Sequence, residues 1–243
     1  MQIKIKAGFA GGTLAAPPSK SMAHRALLCA ALANGQSRVA GICASDDMLA
    51  TMRAMRALGA RIVYDADTGS ALVHGAGAQL CGGGAGAEAS VLPPVTCGDG
   101  AGAAASVLPP VDCGESGSTL RFVIPLFALS GASVTLTGKG RLPERPQGVY
   151  ADLFAARGLL FAQSGTGITL RGPLPAGEYA VDGSVSSQFI SGLLFALPLL
   201  DGDSVIRIAP PFESRSYVDL TLRAMADFGV HAAWESEFTI RIK

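Results

Sequence analysis

At 243 residues, 49% hydrophobic and 16% charged, the chain can bury the core of one large domain. Its 19 basic and 19 acidic residues balance, with no Lys/Arg-rich run, which argues against a nucleic-acid or acidic-membrane surface. Five cysteines, at 29, 43, 81, 97 and 113, form no Cys-x-x-Cys pair and stand beside only three histidines, so neither a disulfide framework nor a zinc site is suggested, and reduced thiols in a cytoplasmic protein are expected.

The N-terminal run Gln2 to Lys6 alternates apolar and polar residues like a strand and lacks the apolar core of a signal peptide. A Gly/Ala/Pro-rich lead from Gly8 to Pro18 then reaches Ser19-Lys20-Ser21, which reads as a Ser-capped entrance to a helix over Met22 to Leu32. Lys20 there opposes the helix dipole, and Ser21 and Arg25 share one face at i and i+4. Positive charge at that end points to an anionic ligand. A second helical pattern, Asp46 to Leu58, stops at Gly59, and Arg61 to Tyr64 follows as a strand.

The stretch from Gly75 to Gly114 carries the least pattern. Within it Gly84 to Asp99 is followed at once by a copy, Gly100 to Glu115, identical at 13 of 16 positions. Gly, Ala and Pro at this density predict an exposed, mobile insertion, in which only one of the pairs Val91-Leu92 and Val107-Leu108 can fill a strand position.

Beyond the insertion the first pattern recurs twice. Ser116-Gly117-Ser118-Thr119 precedes the apolar run Leu120 to Leu129, and Asp182-Gly183-Ser184-Val185-Ser186-Ser187-Gln188 precedes Phe189 to Leu200, which is too short and interrupted to span a bilayer. After each come a strand (Val134 to Gly138; Ser204 to Ile208), a second helix (Arg145 to Arg157, with Pro146 suited to its first turn; Tyr217 to Phe228), a glycine and another strand (Leu160 to Ala162; His231 to Trp234). The final segment, Glu237 to Lys243, reads as a strand as well. Ser19 lies 40 residues before Gly59, Ser116 lies 42 before Gly158, and Ser186 lies 43 before Gly229. One supersecondary unit is therefore used three times.

Each Ser-capped start leaves backbone N–H groups and hydroxyls pointing one way, with the positive end of the helix dipole behind them. Three such starts brought together would make one polyanion-binding face. Gly117 lets a ligand oxygen approach the backbone, and the loop Arg141-Leu142-Pro143-Glu144-Arg145-Pro146 offers arginines whose planar forks suit phosphate or carboxylate.

In combination, Pro18-Ser19-Lys20-Ser21 with Arg25, Ser45-Asp46-Asp47, Glu115 to Arg121, Glu144-Arg145-Pro146 and Asp182 to Phe189 resemble the 5-enolpyruvylshikimate-3-phosphate synthase family. The resemblance implies an α/β inside-out barrel domain, enolpyruvate transferase-like, built of three βαβαββ units with helices inside and sheets outside. It implies that residues 1–243 form one domain, the N-terminal half of a two-domain protein, with 1–18 as a lead-in near the hinge, 75–114 as the flexible insertion and the second domain absent. It further implies transfer of the carboxyvinyl group of phosphoenolpyruvate to the 5-hydroxyl of shikimate 3-phosphate, with no metal or other cofactor.

Carried over by motif, Ser186, Ser187 and Ser214 would bind the phosphate of shikimate 3-phosphate, and Ser21, Arg25, Gln188 and Tyr217 the rest of it. Lys20, Gly117 and Arg145 would bind phosphoenolpyruvate, with Lys20 and Gln188 near both substrates. The acid–base residues of the family belong to the second domain, so the chain alone is expected to bind without turnover. Two alternatives remain at this stage: a non-catalytic phosphometabolite-binding half, and a UDP-N-acetylglucosamine enolpyruvyl transferase. The latter usually needs a reactive loop cysteine, for which Cys97 and Cys113, in the duplicated segment, are poor candidates.

Overall fold

The computed structural model describes residues 16–80, 106–212 and 214–243, together with positions 4, 8 and 11–13. The first unit runs α1 (Lys20–Leu32), β1 (Gln36–Ala40), α2 (Asp46–Ala57), β2 (Arg61–Asp65) and β3 (Ser70–His74), and a short helix α3 (Gly77–Leu80) follows it. The second runs β4 (Val111–Asp112), α4 (Gly117–Phe127), β5 (Ser133–Thr137), α5 (Gly148–Ala155), β6 (Leu160–Ser164) and β7 (Gly167–Arg171). The third repeats that order as β8 (Glu178–Asp182), α6 (Ser187–Ala196), β9 (Ser204–Ala209), α7 (Arg215–Ala226), β10 (Ala232–Ser236) and β11 (Thr239–Ile242).

Each unit closes its own sheet: β1-β3-β2, β4-β5-β7-β6 and β8-β9-β11-β10. The parallel pairs β4/β5 and β8/β9 need a crossover, which α4 and α6 supply; the other pairings are antiparallel. The expected strand at Gln2 to Lys6 falls almost wholly outside the described residues.

Burial follows from the sequence pattern. Strands alternate, so β8 turns Tyr179 and Val181 inward while its other residues face out. Helix α6 is apolar all round and is buried everywhere except Gln188, and α4 is buried except at Ser118 and Arg121. Helices thus form the interior and sheets the outside, and two of the exceptions on the innermost helices, Ser118 and Gln188, line the cavity described below. No described helix is long and apolar enough to cross a membrane.

The three expected Ser caps form. Ser19, Ser116 and Ser186 accept from the N–H groups of Met22, Thr119 and Gln188 at 3.3, 3.2 and 3.3 Å. The three closing glycines, Gly59, Gly158 and Gly229, take φ of 104°, 65° and 77°, a left-handed conformation that glycine adopts without a Cβ penalty.

Some boundaries differ from expectation. Helix α5 starts at Gly148 with Gln147 as its cap residue, so Pro146 lies in the loop before it rather than in its first turn. Helix α7 begins at Arg215, two residues earlier than its apolar periodicity suggests. Both ends of the 75–114 stretch are built into the fold: α3 packs on α1, Leu108 and Cys113 are buried, and the second copy of the duplication supplies β4. The first copy, Gly84 to Asp99, lies outside the described residues.

Helices α4 and α6 cross where Gly192 faces the carbonyl of Arg121 and the hydroxyl of Tyr150; a Cβ on Gly192 would collide with both. Pro125, inside α4, has no N–H to give that carbonyl four residues back. The buried Tyr150 hydroxyl replaces it, lying 2.7 Å from Arg121 O and 3.0 Å from Phe189 O. Tyr150→Phe should therefore strand a buried carbonyl and lower stability by about 1 to 3 kcal/mol in urea unfolding. An unchanged midpoint would refute that account.

Candidate anion-binding site

The starts of α1, α4 and α6 and the start of α7 surround a cavity of about 380 Å³. Its wall consists of Lys20, Ser21, His24 and Arg25 from α1, Ser118 and Phe122 from α4, Ser186, Ser187 and Gln188 from α6, and Ser214 and Tyr217 at α7. Eight of the ten residues expected from the sequence thus stand together. The other two, Gly117 and Arg145, do not line the cavity but touch each other beside it: a Cβ at position 117 would sit 2.5 Å from Arg145 Nη1. Any larger residue at 117 would push the guanidinium from its present place.

Arg25 dominates the electrostatics. It is 3% exposed, and its Nε donates to Thr221 Oγ1 at 2.7 Å, its Nη1 to Ser21 O at 2.8 Å and its Nη2 to Tyr217 O at 3.0 Å. The rings of Phe122 and Tyr217 lie 5.4 and 6.0 Å from its Cζ. These partners satisfy its donors without neutralising its charge, and no described carboxylate pairs with it. Burial pushes its pKa down to about 10, which still leaves it charged at neutral pH. A buried, unneutralised cation on a cavity wall draws an anion into that cavity.

Lys20 differs from expectation, because its charge already has a partner in the protein: Nζ is ion-paired with Asp47 Oδ2. Burial raises the Asp47 pKa, but hydrogen bonds from Lys20 and Ser116 and the charge of Lys20 outweigh that and hold the carboxyl below its usual range. On the opposite side Arg121 Nη1 donates to Gln188 Oε1 at 2.9 Å and its guanidinium stacks 4.7 Å from the Phe189 ring centre, fixing the Gln188 amide in the cavity wall. Ser214 occupies the cap position of α7 but makes no capping hydrogen bond.

Two wall residues, His24 and Phe122, escaped the sequence reading, and Ser118 entered it only as part of the Ser116 to Thr119 helix start. Their signal was spacing, since His24 follows Lys20 at i+4 and Phe122 follows Ser118 at i+4, which places each pair on one helix face. Cys113, weighed as a loop nucleophile, is fully buried and its thiol is pushed up to about 12 by burial, so it carries no thiolate reactivity. Cys97 lies outside the described residues.

A threefold-repeated α/β domain with its helices inside, and with an anion cavity at the joined helix starts, has the enolpyruvate-transferase architecture. The structure of EPSP synthase from Acinetobacter baumannii superposes with a TM-score of 0.71 over 95% of this chain and 46% of that one, at 24% identity, a likeness of fold. The EPSP synthase family model, described as 3-phosphoshikimate 1-carboxyvinyltransferase, matches residues 7–92 and 95–243, and the chain belongs to that family. It is 41% identical over 230 residues to a 3-phosphoshikimate 1-carboxyvinyltransferase of Clostridium beijerinckii, covering 94% of this chain and 48% of that protein. A counterpart from Clostridium kluyveri is 41% identical over 221 residues, covering 90% and 46%. The chain spans about half the length of the curated relatives it matches.

The cavity also sets a pH dependence. The pKa of His24 falls from 6.5 to about 4, first through burial, with Lys20 and Arg25 lowering it further against the raising influence of Asp47. Between those values the unfolded chain binds a proton that the folded chain does not, so stability falls as pH drops through the window. The loss should total about 3 kcal/mol, and His24→Phe should flatten the slope, as read by urea unfolding at pH steps across it. Asp47, whose pKa is depressed in the folded state, contributes its own loss only at lower pH.

Proposed function

We propose that this chain supplies the shikimate-3-phosphate site and part of the phosphoenolpyruvate site of an enzyme that moves the carboxyvinyl group of phosphoenolpyruvate to the 5-hydroxyl of shikimate 3-phosphate. The observation that carries the reading is Arg25, a buried guanidinium without a carboxylate partner among the described residues, on the wall of a cavity ringed by Ser-capped helix starts. Ser186, Ser187 and Ser214 would hold the phosphate of shikimate 3-phosphate, using hydroxyl donors and the dipole of α6. Ser21, Arg25, Gln188 and Tyr217 would hold the remainder of that ligand. Gly117 and Arg145, packed on each other, would seat phosphoenolpyruvate together with Lys20 and Gln188.

These groups bind and orient, and burial holds His24, on the same wall, neutral. The proton-transferring residues would come from a second domain closing over the cavity. Isolated, the chain would bind shikimate 3-phosphate and form no product. The unpaired thiols of Cys29, Cys43 and Cys113 accord with a cytoplasmic setting.

Calorimetric titration with shikimate 3-phosphate tests this reading. Saturable binding is expected, weakened about tenfold or more by the double change Ser186→Ala/Ser187→Ala. A folded wild-type chain that fails to bind, or one that turns the two substrates over alone, would overturn it. Adding a separately produced second half should restore turnover.

A further inference from the structure

His24 is almost fully buried and lines the cavity, yet its Nε2 has no hydrogen-bond partner among the described residues. An unpaired polar atom in such a place is costly unless something else arrives to pair with it. What Nε2 can offer depends on where the ring proton sits, and the surrounding hydrogen bonds decide that.

From His24 the contacts run inward through three hydroxyls. His24 Nδ1 lies 2.9 Å from Thr51 Oγ1, Thr51 Oγ1 lies 2.8 Å from Thr119 Oγ1, and Thr119 Oγ1 donates to Ser116 Oγ at 2.8 Å, with the Asp47 carbonyl as its other acceptor at 3.2 Å. Thr119 has one proton and either acceptor uses it, so Thr51 must be the donor to Thr119.

Thr51 Oγ1 also lies 3.1 Å from the Asp47 carbonyl, a group that only accepts. Whichever of its two oxygen neighbours it serves, no proton is left for the imidazole. The ring must donate Nδ1–H to Thr51, and a neutral ring in that tautomer presents a bare lone pair at Nε2. Chains of this kind polarise cooperatively, which reinforces the single tautomer.

The rest of the wall consists largely of donors: the Lys20 ammonium, the Arg25 guanidinium and serine hydroxyls. Those groups suit an anion, and a lone pair repels one. We propose that His24 reads a hydroxyl group of the ligand, accepting its hydrogen bond at Nε2, and so separates a hydroxylated ring carrying phosphate from phosphate alone. Naming shikimate 3-phosphate as that ligand rests on the proposed function; the tautomer does not.

Two measurements on the 243-residue chain test the proposal. Long-range proton–nitrogen correlation spectra of histidine-labelled protein should show His24 as a single neutral Nδ1–H tautomer, and Thr51→Val should release it into a mixture. An Nε2–H tautomer in the wild-type chain would overturn the proposal outright. In calorimetry, His24→Phe should weaken shikimate 3-phosphate about tenfold while leaving inorganic phosphate unchanged. Equal affinity of the wild-type and variant chains for shikimate 3-phosphate would also overturn it. A wild-type chain that binds inorganic phosphate but not shikimate 3-phosphate would instead sink the substrate reading, and the tautomer would then judge the acceptor by itself.

Discussion

Keeping a guanidinium charged out of water is the constraint on which this structure turns. Arg25 extends from α1, yet its donors are taken by the side chain of Thr221 and the backbone of Tyr217 on α7, and Ser191 of α6 lies 3.5 Å from its Nη2. One side chain therefore ties three helices from two repeat units together. Because every partner is neutral, the tie fixes geometry and leaves the charge in place. Replacing those partners with a carboxylate would make a better ion pair and a worse anion site.

The threefold repeat makes that arrangement possible. Each unit presents a helix start, and the inward faces of α4 and α6 are apolar enough to bury the helices nearly whole. Close crossing then exposes a backbone problem, created by Pro125 at the carbonyl of Arg121. Gly192 removes the obstructing Cβ and Tyr150 restores a donor. The same crossing holds Arg121 over Phe189, and through Arg121 the amide of Gln188. Packing in the middle of the domain thus sets side-chain orientation at the cavity several residues away.

Local rules carry their information in a few neighbouring residues, and those features were legible in the sequence. The Ser caps, the left-handed glycines and the alternation of β8 and β9 needed nothing beyond the segment itself. The start of α5 was not legible, because Gln163, distant in sequence, donates to the carbonyls of Pro143 and Arg145 and holds that loop out of the helix. His24 was missed for a related reason. Nothing near it in sequence announces that Thr51, on another helix, will hold its Nδ1. Arg25 was found by motif, but its burial against neutral partners depends on residues more than 160 positions away.

Lys20 and Arg25, one turn apart on α1, divide the work of positive charge unequally. Lys20 is more than half exposed and paired with Asp47, so its attraction for an incoming anion is screened by water and by its own partner. Arg25 is buried and has no carboxylate partner among the described residues. Any anion that reaches Lys20 competes with the Asp47 carboxylate, and the Asp47 carbonyl lies within hydrogen-bond reach of the Thr51 and Thr119 hydroxyls in the chain from His24. Charge at the mouth of the cavity and tautomer at its wall therefore meet at one residue. Its carboxylate sits in the first turn of α2, where the helix dipole favours its ionised form. The Ser45 cap and Asp46-Asp47 pair, which look like ordinary helix-start chemistry, thereby reach into the site that the other helix starts build.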